Sequence, residues 1–249
     1  MNQKINHTVV DYPSNMDLIT SSARSLTSQA FERLRRDIIQ GHLAPSERLR
    51  IQALSERYQI GATAIREALS RLVTDGLVDS EDQRGFTVAP VSREELLDLT
   101  HTRIQVEQMA LRMAVAKGDL EWESQVLSCY HRLSRLESQP WSVELLANWG
   151  LAHRQFHEAL ISGCASPWTL RLCRLLYDQT ERYRNLSAQA GKERGRDVTK
   201  EHKELADAAL ARDADALCRS IEAHFDLTTR LIVDGVAGQQ GFKGRKAAG

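Results

Sequence analysis

The 249-residue chain has no excess of either charge, because 33 Lys and Arg balance 33 Asp and Glu. The balance also holds locally, with 11 basic and 11 acidic residues up to Val91 and 22 of each beyond it. Neither part is a basic tail, so any grip on a polyanion has to come from local geometry. No apolar run approaches the ~20 residues that cross a bilayer, and the polar start MNQKINHTVVDYPSNMD lacks a secretory core. A soluble cytoplasmic protein without a membrane partner is the expectation. Cys129, Cys164, Cys173 and Cys218 have no CxxC spacing and lie in apolar helical contexts, which reads as reduced core thiols. Proline is scarce as well, and Pro45, Pro90, Pro140 and Pro167 serve as punctuation between periodic segments.

What is present is an ordinary globular composition, 42 % hydrophobic and 27 % charged, which excludes disordered and collagen-like chains. Residues 1–24 carry no apolar periodicity and read as a flexible arm. From Ser25 onward, Leu26, Ala30, Phe31, Leu34, Ile38 and Ile39 recur at helical spacing, with Gly41 as the stop. After Pro45, Ile51, Leu54 and Tyr58 predict a short second helix ending near Gln59-Ile60-Gly61. Ala64, Ile65, Ala68, Leu69 and Leu72 predict a third, stopped by Asp75-Gly76. Two short helices around a tight turn form a helix-turn-helix. Leu77-Val78 and Phe86-Thr87-Val88 are β-prone runs around SEDQRG, a hairpin tip, so residues 25–91 read as a winged helix-turn-helix.

Pro90 forbids helix continuation, and Ser92-x-x-Glu95 is a capping box that opens the next domain. Residues 92–234 read as all helical, with helices at about 92–117, 121–138, 142–163, 167–190, 199–212 and 214–234. The glycine-rich tail from Gly235 reads as disordered. The fold class expected is therefore mainly α, a winged domain followed by a helical bundle.

A recognition helix presents its N-terminal polar residues to base edges in the major groove. In GATAIREAL those are Thr63, Arg66 and Ser70, with Arg66 one turn after Thr63 on the same face. Glu67 is free either to pair with Arg71 or to cap the turn. The bland alternative is that Arg66 and Glu67 are an ordinary solvated face.

In order and spacing, LRRDIIQGHLAP, LSERYQI, IREALSRLVTDGLV and RGFTV resemble the GntR superfamily of bacterial regulators over Leu26–Val91. The resemblance implies a DNA contact surface of Gln52, Ala62, Thr63, Arg66 and Ser70, with the wing tip at Arg84 and Gly85. Two departures stand out. Ala62 occupies the place of the arginine that usually reads a base, and Arg50-Ile51 occupies the place of a usual glutamate.

Of the eight histidines, His153 and His157 are spaced i,i+4, so they share one helix face and can share a metal. His202 and His224 come from two later helices, and bundles build metal sites in this way. The flanking Phe156, Leu160 and Phe225 imply burial, and a buried imidazole needs a metal, carboxylate or water as partner.

Residues 95–232 resemble the FCD ligand-binding domain of FadR-type GntR regulators. The matching elements are Arg103-x-x-x-Glu107, Phe156-His157-x-x-Leu160, Glu201-His202, and Asp213-Ala214-Asp215-Ala216 with His224. Metal-binding members have an aspartate where this chain has His153. The resemblance thus implies a four-histidine site for a divalent ion, with zinc or nickel favoured. It also implies a small carboxylate effector on the ion, countered by Arg103, with Arg182, Tyr183 and Arg184 near the pocket. The bland reading of Arg103 and Glu107 is an i,i+4 surface salt bridge.

The histidine pattern together with GATAIREAL resembles a glutarate-responsive, carbon-starvation-induced subgroup. The expectation is a homodimeric repressor on a palindromic operator in double-stranded DNA, released by its effector and not an enzyme. A mononuclear metal hydrolase on the same histidines is the competing reading, but four ligands and no HExxH glutamate argue against it. Glu158 is its one candidate base. A purely structural or metal-sensing site is the third reading.

Overall fold

A computed structural model describes residues 25–81, 84–140, 142–188 and 196–236. The expected arm at 1–24, the loop at 191–195, part of the hairpin tip and the tail from 237 lie outside the described residues.

Ser25 accepts a hydrogen bond from the Ser28 amide and opens α1, Leu26–Ile39. The chain leaves α1 through Gly41 at φ 76°, a left-handed turn that favours glycine. Helix α2 spans Ile51–Tyr58, with Gln59 left-handed at its end, and α3 spans Ala62–Thr74. Their apolar stripes meet in one core of Ala30, Leu34, Ile38, Leu54, Ile65 and Leu69. The wing hairpin, β2 Val78–Glu81 and β3 Gly85–Val88, pairs antiparallel with Val78 opposite Val88.

A third strand, β1 Arg48–Leu49, was not expected from the sequence. It pairs with β3, Arg48 opposite Thr87, giving the order β1-β3-β2. Two residues carry no periodicity of their own, and only the β3 edge makes them a strand.

Ser92 caps α4, Arg93–Lys117, by accepting from the Glu95 amide. The bundle continues with α5 Leu120–Glu137, α6 Val143–Ser162, α7 Pro167–Ala188, α8 Val198–Leu210 and α9 Ala214–Val236. Helix α4 is central and packs on α6, α7 and α9, while α5 closes against α6 and α8. Its turn into α5 is set by Gly118, where a Cβ would stand 2.4 Å from the Trp122 ring. That indole is anchored by its Nε1–H to the Ala159 carbonyl, 3.0 Å away. The apolar cluster of Leu111, Val126, Phe156, Leu205, Leu217 and Ile221 holds α6, α8 and α9 side by side. None of the described helices is long and apolar enough to cross a membrane.

Candidate metal centre and nucleic-acid interface

The i,i+4 spacing places His153 and His157 on the inner face of α6, with ring centroids 4.5 Å apart. His202 from α8 and His224 from α9 complete a buried set whose ligand nitrogens all lie within 4.8 Å of one another. Nitrogens about 2.1 Å from a shared ion can be at most roughly 4.2 Å apart, so a small contraction would seat one. The polar atoms left over fit that ion. Both ring nitrogens of His157 and Nε2 of His202 are buried without a hydrogen-bond partner. Such atoms are costly unless something meets them.

Two carboxylates fix the other ends of the rings. His202 Nδ1–H donates to Glu137 Oε1 at 2.7 Å, and both side chains are almost fully buried. His224 Nδ1–H donates to Glu201 Oε2 at 2.8 Å. Each bond turns Nε2 inward, the arrangement by which carboxylates orient metal-binding imidazoles. His153 Nδ1 lies 3.2 Å from the Tyr177 hydroxyl, and its ring stacks on Trp149 at 4.6 Å. Burial holds the imidazoles of His153 and His157 neutral, well below the usual range. It pushes His224 down to about 3 against the opposing pull of Glu201. Burial alone would raise the Glu201 carboxyl, but hydrogen bonds from Arg196 and His224 hold it down at about 2. The neutral imidazoles of His153, His157 and His224 are ready to ligate without first losing a proton.

The centre opens into a cavity of about 40 Å³ lined by Arg103, Trp149, His153, Thr180, Arg184, Arg196 and His224, among others. Arg103 and Glu107 do pair, Nε to Oε1 at 2.6 Å, but the pair is buried, not on the surface. Arg103 also donates to Thr180 Oγ1 at 2.6 Å and lies over the Phe225 ring at 3.9 Å, while its Nη2 is buried without a partner. Arg184 lines the cavity beside Glu181. Arg182 and Tyr183 do not line it. Arg182 turns to the Ala89 and Pro90 carbonyls, at 2.8 and 2.5 Å, and the Tyr183 hydroxyl donates to Glu95 at 2.6 Å. Glu158, the candidate hydrolytic base, also lies outside the lining and is bonded to Arg154 at 3.0 Å.

Helix α7 has two faces along residues 177–185. Tyr177, Thr180, Glu181 and Arg184, at i, i+3, i+4 and i+7, face the histidines, Arg103 or the cavity. Asp178, Gln179 and Asn185 face the winged domain. Asp178 pairs with Arg35 of α1, Gln179 donates to the Asp75 carbonyl at 2.7 Å, and Asn185 donates to the Ile39 carbonyl at 3.0 Å. Those carbonyls end α3 and α1, where helices have unsatisfied acceptors.

On the far side of the winged domain, Gln52, Ala62, Thr63, Arg66, Ser70, Arg84 and Gly85 are all exposed. Thr63 and Arg66 open the outer face of α3, whereas the Ser70 hydroxyl turns back to the Arg66 carbonyl at 3.1 Å. Gln52 bonds to Glu56 at 3.3 Å. Glu67 takes neither of its expected partners. It accepts from Thr27 at 2.7 Å, and Arg71 lies instead over the Phe31 ring at 4.2 Å. Gly85, at φ 85°, makes the wing turn.

The functional residues that the sequence did not reveal are Glu137, Tyr177, Trp149 and Arg196 at the centre, and Gln179 and Asn185 between the domains. Glu137 and His202 are 65 positions apart, so no local spacing could have joined them.

Comparison with known proteins agrees with this geometry. Residues 26–88 match the family described as bacterial regulatory proteins, gntR family, and residues 98–227 match the FCD domain. The chain is 45 % identical over 214 residues to the uncharacterised HTH-type transcriptional regulator BphR of Paraburkholderia xenovorans strain LB400, covering 85 % of this chain and 87 % of that one. It is 37 % identical over 208 residues to the HTH-type transcriptional repressor GlaR of Escherichia coli K12, covering 82 % and 94 %. The structure of E. coli McbR/YncC shares the fold with a TM-score of 0.72 at 21 % identity, over 85 % of this chain and 99 % of that one. These relatives are transcription regulators, and the hydrolase reading has no support among them. The chain is a transcriptional regulator of the bacterial gntR family, with a gntR winged helix-turn-helix domain followed by an FCD domain.

Proposed function

We propose that this protein is a homodimeric, metabolite-responsive repressor of the cytoplasm, released from a palindromic operator by a small carboxylate that binds in the histidine cavity. The observation that carries the reading is the two-faced segment of α7. One side touches the histidines and Arg103, and the other holds the ends of α1 and α3.

His153, His157, His202 and His224 would hold the divalent ion, with zinc or nickel suited to an all-imidazole set. When bound, the ion supplies a Lewis acid for a carboxylate oxygen. Arg103 contributes the partnerless Nη2 as counter-charge, and Trp149 and Phe225 shield the site from water. A cavity of about 40 Å³ is far below the roughly 150 Å³ that accommodates a benzene ring. A metabolite therefore enters only if a wall yields, and α7 is one of the walls. Movement there changes the setting of the reading head, which carries Thr63, Arg66 and the wing tip at Arg84 and Gly85.

The test is titration of purified protein onto the DNA upstream of its own gene, with and without short dicarboxylates, glutarate first. Tight, sequence-selective binding relieved by one compound supports the reading, and binding indifferent to sequence and to every compound overturns it. If chelation alone releases the DNA with no added metabolite, the site senses the metal itself.

A further inference from the structure

Beside α3 the winged domain has an open groove of about 420 Å³ lined by four arginines, Arg48, Arg50, Arg66 and Arg84, over a floor that includes Leu49 and Phe86. Among the described residues that line it there is no acidic side chain. Each arginine comes from a different local cause. Strand β1 buries Leu49 and leaves Arg48 and Arg50, two positions apart, exposed on the opposite side. Arg48 donates to the Arg84 carbonyl at 3.1 Å and so ties the strand to the hairpin tip. Arg50 precedes α2 with extended backbone and makes no side-chain capping bond. Arg66 enters from the second turn of α3.

We propose that this groove is a seat for the DNA sugar-phosphate strand, and that Arg48 and Arg50 are its phosphate-binding residues. The inference rests on the DNA-reading part of the function proposed above. Arg50 and Arg66 are both exposed in this lining, and like charges brought together there cost energy that an external anion offsets, which marks the groove for such an anion. The groove lies between the outer face of α3 and the wing tip. With α3 in the major groove, the strand bordering that groove runs between the two. The domain has no net charge to supply affinity, and α3 opens with Ala62, so cationic contacts to the backbone have to come from elsewhere.

The test compares wild type with Arg50→Ala, Arg50→Lys and Arg48→Ala on the operator and on a random duplex across a salt series. Each phosphate contact contributes about 0.9 to the slope of log affinity against log salt. A dimer of Arg50→Ala should therefore lose about two from that slope. Its affinity should fall by the same factor on both duplexes, and Arg50→Lys should keep the wild-type slope. The melting temperature of Arg50→Ala without DNA should be unchanged or raised. Unchanged slopes in both alanine variants overturn the proposal, as does a loss confined to the operator, which would be a base contact. A lowered melting temperature overturns it in favour of a structural role. The random-duplex arm needs no operator preference, so a wild type that fails to select or release its operator refutes the repressor reading while leaving this comparison intact.

Discussion

Glu137 on α5 accepts a 2.7 Å hydrogen bond from His202 on α8, and both side chains are sealed from solvent. Trp149 Nε1 donates to the same carboxylate oxygen at 3.2 Å. The pair sets the tautomer of His202 and points Nε2 at the other three imidazoles. Replacing Glu137 by Gln keeps the shape and removes the charge. Zinc affinity, measured by competition with a chelator, should fall 10- to 100-fold, the range found for outer partners of metal ligands. An unchanged affinity would mean that the carboxylate does not orient the ligand.

Stability of the metal-free protein should fall as the pH drops from 7.5 to 5.5. Histidine in the unfolded chain titrates near pH 6.5, whereas folded His153, His157 and His224 take up protons only far lower. The unfolded state thus binds protons that the folded state refuses, so stability present above about pH 6.5 is lost progressively on acidification. Glu201 has the same sign in a lower window, between its ordinary value near 4.3 and about 2, so its contribution is constant above about pH 5 and adds nothing to the change between pH 7.5 and 5.5. Urea midpoints at the two pH values check this, and equal midpoints would contradict it.

Gln179→Ala removes the bond from α7 to the Asp75 carbonyl at the end of α3 without touching the cavity lining. Carboxylate affinity should stay within about twofold of wild type. The ratio of operator affinities without and with saturating carboxylate should shrink about fivefold, the equivalent of one hydrogen bond of roughly 1 kcal/mol. An unaltered ratio would show that coupling runs elsewhere.

Gly118→Ala puts a methyl group into the Trp122 ring and against the Ala114 carbonyl. Overpacking of this kind costs about 1–3 kcal/mol. At roughly 2–4 °C per kcal/mol for a chain of this size, the melting temperature should drop by several degrees. A melting temperature equal to wild type would mean that the α4–α5 turn relaxes freely.

How much of this was legible depends on the range of the interaction. Apolar stripes at helical spacing, the Gly41 and Gly76 stops and the Ser92 cap are local, so the helices could be read directly from the residues. The i,i+4 relation of His153 and His157 is local in the same sense, and burial of the neighbouring Phe156 implied that the pair faces inward. Thr63 and Arg66 could be placed on one exposed face for the same reason.

Tertiary structure decided which long-range partner each polar group meets. Glu201 adjoins His202 in sequence yet bonds to His224, because neighbours on a helix point about 100° apart and α9, not α8, lies in front of that carboxylate. Arg182 turned from the cavity to the linker for a related reason, since its position on α7 faces the Ala89 and Pro90 carbonyls. Strand β1 exists only because β3 offers an edge, and it is this pairing that brings Arg48 and Arg50 beside Arg66. Periodicity along the chain determines which side of a helix is buried, but the packing of separate elements determines what it is buried against.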